Sequence, residues 1–358
     1  MKGNFQSNIY VAGHTGLVGS AIHRNLIEKG YSNFTLHSIE ELDLRRQELV
    51  EELFEKNKPE FVFHAAAKVG GIVANDTYKA EFIYDNILIS ANIINSAYKY
   101  GVKKLINLGS SCIYPKFAPQ PMKEEYLLTG LLESTNEPYA IAKIAAIKLC
   151  RYYNEQYGTN YISVMPTNLY GRNDNYNLET SHVLPALIRK MILGKFLLEK
   201  KFDLIKKDIS KNRLGFGFDN SINPDDEKSL ISALENIGIS QQGIKVWGSG
   251  NVYREFLHVD DMAEACTFLM ENYSYQDIGE FINIGTGVDN TIRDLVFMIK
   301  EIVGYEGEIL FDKDKPEGTP KKLLDVSRLF SLGWKPKITL NTGIKMVVEE
   351  YYQKLGLN

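Results

Sequence analysis

The stretch Ile9 to Gly19, IYVAGHTGLVG, restricts the possible folds of this 358-residue chain more than any other. Ile9-Tyr10-Val11-Ala12 reads as a short buried strand. Val18, Ala21, Ile22 and Leu26 then recur at helical spacing, and Gly30 closes the helix. Gly13, Gly16 and Gly19 stand where strand gives way to helix. A strand, a glycine turn and a helix opening form the context that gives a dinucleotide fingerprint its meaning. Gly13 permits the tight turn, Gly16 lets the backbone approach a pyrophosphate, and Gly19 lets helix and strand pack closely. The first N–H groups of the helix, at the positive end of its dipole, then face the phosphates. Plain turn punctuation is the bland alternative for three glycines.

A second strand is expected over Asn33 to Leu36, and the residue at its tip selects the cofactor. An acid there bonds the ribose 2′-hydroxyl of NAD, and an arginine accepts the extra phosphate of NADP. The chain has His37, Ser38 and Ile39 instead. His37 and Ser38 are phosphate donors, so the reading leans to NADP. Asp43-Leu44 suits an adenine-side contact, although an acid at a helix start is equally an ordinary cap. Phe61 to His64 continues the parallel alternation, and Ala65-Ala66-Ala67 supplies small side chains where a backbone passes a ligand. After a long helix over Asn86 to Tyr100, Leu105 to Leu108 forms the next strand and ends in Gly109-Ser110-Ser111-Cys112. Ligands of a doubly wound sheet sit beyond the carboxyl ends of its strands, where the Ser110 hydroxyl can bond a substrate carbonyl. A simple turn is the competing reading.

Tyr139 and Lys143 are four apart, so on a helix they project from one face. An ammonium nearby favours the phenolate and lowers a tyrosine pKa from about 10. That gives a proton donor and acceptor for reversible carbonyl reduction. Alone the spacing is common and reads as a solvated ion-pair face. Together with Ser110 at a strand end and the glycine loop, it points to an enzyme.

Composition narrows the field. The formal net charge is −4, with 44% apolar and 24% charged residues, which supports neither nucleic-acid binding nor a membrane surface. No stretch is apolar for the length of a membrane helix, and Met1 to Asn8 is polar, unlike a signal peptide. Cys112, Cys150 and Cys266 are widely spaced and odd in number, which indicates neither a disulfide framework nor a metal site. A cytoplasmic location is expected.

The motifs carry a resemblance. Ala65 to Asp76 (AAAKVGGIVAND), Gly109 to Pro115 (GSSCIYP), Asn136 to Lys143 (NEPYAIAK), Val164 to Gly171 (VMPTNLYG), Val246 to Asp261 (VWGSGNVYREFLHVDD) and Lys315 to Asp325 (KPEGTPKKLLD) resemble the GDP-L-fucose synthase family of extended short-chain dehydrogenase/reductases. The resemblance runs from about Ile9 to the C-terminus with one interruption. It implies NADPH-dependent reduction of the C4 ketone of a GDP-4-keto-6-deoxy sugar, with Tyr139 as proton donor and Lys143 and Ser110 in support. It also implies C3 and C5 epimerisation by Cys112 and His182, which fall on the family's cysteine and histidine. The C4 ketone acidifies those carbons, because their carbanions delocalise as enolates that a polar site can stabilise. An inert cysteine and a bonded loop histidine are the structural alternatives. The cofactor residues implied are Gly13, Gly16, Leu17, Val18, His37, Asp43, Leu44, Ala65, Ala66, Lys143 and His182. Asn168, Lys190, Trp247, Arg254 and Lys315 match positions that contact the GDP-sugar.

Three features depart from the family pattern. Thr15 and Ile39 stand where arginines would hold the NADP phosphate. Lys190 replaces an arginine and cannot make its bidentate fork. Between about Leu193 and Gln242 lies an insertion of roughly forty residues, and loops that long are usually functional or mobile. It contains Leu230, Ile231, Leu234 and Ile237 at amphipathic spacing. The insertion is expected to alter the sugar pocket or an assembly contact, for example to admit a GDP-4-keto heptose.

The expected fold is α/β, a doubly wound and mostly parallel sheet with a smaller α/β substrate part. Residues 1–167 with about 250–290 should hold the dinucleotide. Residues 168–249 with 291–358 should hold the substrate. A homodimer through the helices that carry Asn86 and Tyr139 is what the family implies. The competing functions are a C4 ketoreductase without epimerase activity, a UDP- or dTDP-sugar 4-epimerase that recycles bound NAD, and a non-catalytic dinucleotide-binding scaffold.

Overall fold

The computed structural model describes residues 4–315 and 318–357. Met1 to Gly3, Asn358, and Pro316 and Glu317 within the Lys315–Asp325 motif lie outside the described residues. The strands, in chain order, are β1 (Ile9–Ala12), β2 (Phe34–Thr35), β3 (Phe61–His64), β4 (Lys104–Leu108), β5 (Tyr161–Pro166), β6 (Asn168–Tyr170), β7 (Gly243–Trp247), β8 (Tyr253–His258), β9 (Phe281–Ile284), β10 (Asp289–Thr291), β11 (Glu308–Asp312) and β12 (Lys321–Lys322).

Six of them form one sheet in the order β2-β1-β3-β4-β5-β9, and every pairing in it is parallel. Parallel strands are covered on both faces and read as continuous apolar runs, and β1, β3, β4 and β5 are buried at every position. Helices Leu17–Glu28 and Val259–Asn272 cover one face; helices Gln47–Asn57, Lys79–Lys99 and Glu137–Tyr157 cover the other. The chain runs from β1 outward to β2 and returns across β1 to β3. The topological switch therefore lies between β1 and β3, and a ligand crevice opens at their carboxyl ends. The doubly wound sheet expected from the sequence is present.

A second, smaller sheet takes the order β10-β8-β12, with β6 also pairing β8, and β7 pairs β11 in a two-stranded unit. Around them lies an apolar cluster that joins helix Val183–Leu198 (Leu184, Leu187, Met191) to helix Ile292–Val303 (Leu295, Ile299) and helix Leu340–Lys354 (Ile344, Val347). The insertion is not an open loop. It folds as helices Phe202–Lys211 and Glu227–Asn236, and Ile205, Leu214, Leu230, Leu234 and Ile237 are buried in this same cluster. Among the described residues no helix is long and apolar enough to cross a membrane.

Candidate active site

Gly13 sits at φ +81°, and a Cβ there would lie 2.9 Å from the backbone of Ala66. A Cβ on Gly19 would lie 2.1 Å from the Gly13 carbonyl oxygen. Gly13 and Gly19 therefore let the first turn pack against its own helix and against the chain leaving β3. A Cβ on Gly16 would meet nothing closer than 3.5 Å, and this residue is exposed. Helix Leu17–Glu28 starts there with no side-chain cap and no acid in its first turn. Its free N–H groups face the crevice with no competing negative charge, so the cradle fits a dinucleotide pyrophosphate. Leu17, Val18, Ala65 and Ala66 are partly buried around it, with His37 at the tip of β2. Asp43 is engaged otherwise: its carboxylate takes both Nε (2.9 Å) and Nη2 (2.8 Å) of Arg45.

β4 ends at Leu108 and hands the chain to Ser110, whose hydroxyl oxygen accepts the Cys112 N–H at 3.4 Å in a short 3-10 turn. Helix Glu137–Tyr157 runs alongside and brings Tyr139 and Lys143 to that turn. Lys143 is 3% exposed, donates to the Leu108 carbonyl at 2.8 Å, and holds its Nζ 5.7 Å from the Tyr139 ring centroid. The sequence reading had the ammonium pulling the tyrosine pKa down. Here burial dominates and raises it, with the neighbouring Cys112 adding to the effect. Tyr139 is therefore protonated at neutral pH. Burial also lowers Lys143 to about 8, against a small opposing effect of Cys112. An ammonium with that pKa is charged below pH 8 and neutral above it. Reduction should accordingly fall as pH rises through about 8, and Lys143→Arg, which keeps its charge, should lose that alkaline limb. A pH profile of NADPH oxidation checks this.

Cys112 and His182 come from distant parts of the chain. His182 caps the N-terminus of helix Val183–Leu198, and the turn before it reaches the loop after β3, where the Gly71 N–H donates to the Thr180 carbonyl at 2.9 Å. A Cβ on Gly71 would lie 2.6 Å from the Ser181 oxygen, so this approach needs glycine. Burial raises the Cys112 pKa, opposed by Lys322, by the Ser110 hydroxyl and by Lys143. His182 keeps solvent contact in the cleft, yet the surrounding protein lowers its pKa, and the charge of Lys322 lowers it further.

Lys322 thus acts on both residues, and the sequence reading passed over it inside the Lys315–Asp325 motif. It sits on β12 opposite Arg254 of β8. Leu324, two residues on, packs with Ile113 and Ile144 beside the Cys112 turn. Glu255 is the second residue missed. Its buried carboxylate accepts the N–H groups of Thr286 (2.6 Å), Gly287 (2.8 Å) and Leu324 (3.0 Å), which ties β8 to the chain around β12.

Of the residues read as substrate contacts, Asn168 and Arg254 lie on β6 and β8 of the smaller sheet, Trp247 ends β7, Lys190 is on helix Val183–Leu198, and Lys315 follows β11. Asn168 donates from its side chain to the Glu255 carbonyl at 2.8 Å, and Arg254 donates to the Tyr253 carbonyl at 2.7 Å. Trp247 is 44% exposed, with the Lys315 ammonium 5.7 Å from its ring centroid. Lys190 reaches the Lys245 carbonyl at 3.4 Å, and burial lowers its pKa to about 8. Cations around an indole suit a diphosphate with an adjoining planar or sugar group.

The profile of the NAD dependent epimerase/dehydratase family matches residues 9–208 and 211–285. The chain belongs to this family. Among its relatives, GDP-L-fucose synthase 1 of Arabidopsis thaliana is 49% identical over 98% of this chain and 94% of its own length. The GDP-L-fucose synthase of Escherichia coli (strain K12) is 47% identical over 95% and 94%. A Campylobacter jejuni structure described as a GDP-D-glycero-L-gluco-heptose synthase in the presence of NADPH superposes with a TM-score of 0.84, at 40% identity over 99% of this chain and 100% of that one. The family's first match ends at Asp208 and its second begins at Lys211, within the first helix of the insertion.

Proposed function

We infer that this chain is an NADPH-dependent oxidoreductase that reduces the C4 ketone of a GDP-4-keto-6-deoxy sugar and inverts its C3 and C5 centres. One observation carries the reading: Ser110, Tyr139 and Lys143 stand at the carboxyl end of β4, next to Cys112, and Lys322 links Cys112 electrostatically to His182. When bound, NADPH supplies the hydride to C4. The Tyr139 hydroxyl gives the resulting alkoxide its proton, the Ser110 hydroxyl holds the same oxygen, and the charge of Lys143 stabilises the tyrosinate left behind. Before reduction, Cys112 and His182 exchange protons with C3 and C5 while the C4 oxygen carries the enolate charge. The relatives named as GDP-L-fucose synthases support this substrate and reaction, and the neighbour with NADPH supports the cofactor.

The partners and setting extend the same reading. Tyr84, Ile87 and Tyr98 on helix Lys79–Lys99 are exposed, as are Ile141 and Tyr152 on the helix it packs against. Their spacing gives each helix one apolar face, which supports a homodimer through this helix pair. Three unpaired cysteines fit a reducing cytoplasm. The division into a dinucleotide part, residues 1–167 with about 250–290, and a substrate part, residues 168–249 with 291–358, is supported by the separate apolar clusters around the two sheets, although Leu329 and Trp334 pack on the dinucleotide sheet.

A second reading is a C4 ketoreductase for a GDP-4-keto heptose, without epimerisation; the Campylobacter jejuni relative, described as a GDP-heptose synthase, supports the heptose. One experiment separates the two. The protein is incubated with GDP-4-keto-6-deoxymannose and NADPH in heavy water, and the product is analysed by NMR. Deuterium at C3 and C5 with both centres inverted is the expected result. Reduction without label selects the second reading, and label without net NADPH consumption overturns both.

A further inference from the structure

The insertion touches the segment that delivers His182. Arg189, on the helix that His182 caps, is fully buried and bonds both sides of the junction. Its Nε and Nη2 donate to Asp208 Oδ1 at 2.9 and 2.7 Å. Its Nη1 donates to the carbonyls of Tyr176 (2.9 Å) and Arg213 (2.6 Å), and its Nη2 to that of Asn212 (2.7 Å). Tyr351 of the C-terminal helix donates to the other Asp208 oxygen. The first helix of the insertion is thus locked to the backbone just ahead of the histidine turn.

Beyond that lock, the chain from Leu214 to Phe216 lies directly on the turn. The N–H groups of Leu214 and Gly215 donate to Asp219 at 2.7 and 3.0 Å, which shapes the arm. Gly215 has φ +87°, and a Cβ there would lie 2.6 Å from both Asn177 Oδ1 and the Glu179 side chain. Phe216 is also left-handed, at φ +54°, a costly conformation for an aromatic residue that surrounding contacts must hold. Its N–H donates to Glu179 Oε2 at 2.7 Å. Within the turn, Asn177 accepts from Glu179, Thr180 and Ser181, and Thr180 in turn accepts from Gly71 of the cofactor-side loop. His182 follows at once.

We propose that the insertion is a clamp that sets the position of His182, with Glu179 as the positioning residue through which the Phe216 backbone holds the histidine turn. The role of His182 in proton exchange rests on the function inferred above; the clamp itself does not. An arm gripping the turn from one side, with Gly71 on the other, fixes the backbone that carries His182. Misplacement of an acid or base by about an ångström costs on the order of a hundredfold in rate.

The test compares Glu179→Ala with Glu179→Gln, whose amide oxygen still accepts the Phe216 N–H. Hydrogen exchange read by mass spectrometry over residues 176–184, and the titration midpoint of His182 by NMR, report on the clamp without any turnover. In Glu179→Ala, exchange over 176–184 should rise at least tenfold. The His182 midpoint should return toward its ordinary value as the ring leaves its place near Lys322. Deuterium incorporation at C3 and C5 should fall on the order of ten- to a hundredfold. Glu179→Gln should restore all three. Unchanged exchange and an unchanged midpoint in Glu179→Ala overturn the clamp, and so does faster exchange with the midpoint unmoved. A wild-type protein that incorporates no deuterium overturns the epimerase reading instead, and leaves the two turnover-free measurements to decide the clamp.

Discussion

Tyr139→Phe should lower NADPH oxidation by roughly 10²- to 10⁴-fold, the usual worth of a positioned general acid, while the affinity for NADPH stays within about twofold of wild type, since one buried hydroxyl is not part of the phosphate cradle. The substitution is clean because it removes one hydroxyl and keeps the ring. The ring packs edge-on against Phe82 at 6.4 Å between centroids, and phenylalanine fills the same space. What is lost is the proton assigned to the C4 oxygen, from a group that burial keeps protonated well above neutral pH. Ser110→Ala should cost less, because a hydroxyl that only shares the oxygen's charge leaves the donor in place. The deuterium label offers an internal control. In the proposed reaction proton exchange at C3 and C5 comes before hydride transfer, so Tyr139→Phe should still label substrate that it cannot reduce. A loss of less than tenfold in NADPH oxidation would remove Tyr139 from the donor role and send the search to a water held by Ser110.

The parts of this site that can be read from the chain are those made within one element or one turn. Gly13, Gly16 and Gly19 declare themselves because a strand precedes them and a helix follows, and all of their chemistry is local. Tyr139 and Lys143 share a helix face by arithmetic alone. Ser110 follows from the end of a strand. The reading weakens where contacts join distant segments. Nothing near Lys322 in sequence announces that β12 will set it beside Cys112, because that depends on a parallel pairing with Arg254 and on a buried carboxylate, Glu255, that fastens Leu324. The amphipathic spacing of Leu230, Ile231, Leu234 and Ile237 was visible, but its partners on helix Val183–Leu198 and the Arg189–Asp208 pair at its root were not. The direction of the Tyr139 shift also escaped sequence reasoning. A Tyr-x-x-x-Lys spacing reveals the charge and not the burial, and burial sets the direction here.

Cys112→Ala and His182→Asn should each cut deuterium incorporation by roughly 10²- to 10⁴-fold while leaving a measurable C4 reduction that yields product with uninverted centres. At neutral pH burial favours the uncharged thiol of Cys112, and the surrounding protein, with the charge of Lys322, favours the uncharged imidazole of the solvent-contacting His182. The active form, thiolate with imidazolium, carries the same number of protons as that resting pair. Its population therefore depends on the difference between the two pKa values and not on pH in the interval between them. Labelling should be flat across that interval and fall on either side of it, below the lowered histidine value and above the raised cysteine value. Reduction instead declines once Lys143 loses its proton near pH 8, so the two activities should part on the alkaline side. Lys322 sharpens the test. Its charge opposes the burial penalty on the thiolate and makes the imidazolium a stronger acid. Lys322→Met should thus depress labelling more than reduction and move the alkylation profile of Cys112 to higher pH, and Lys322→Arg should preserve both. If Cys112→Ala and Lys322→Met label as fast as the wild type, the pair is structural, and the base that removes the C3 and C5 protons lies elsewhere in the cleft.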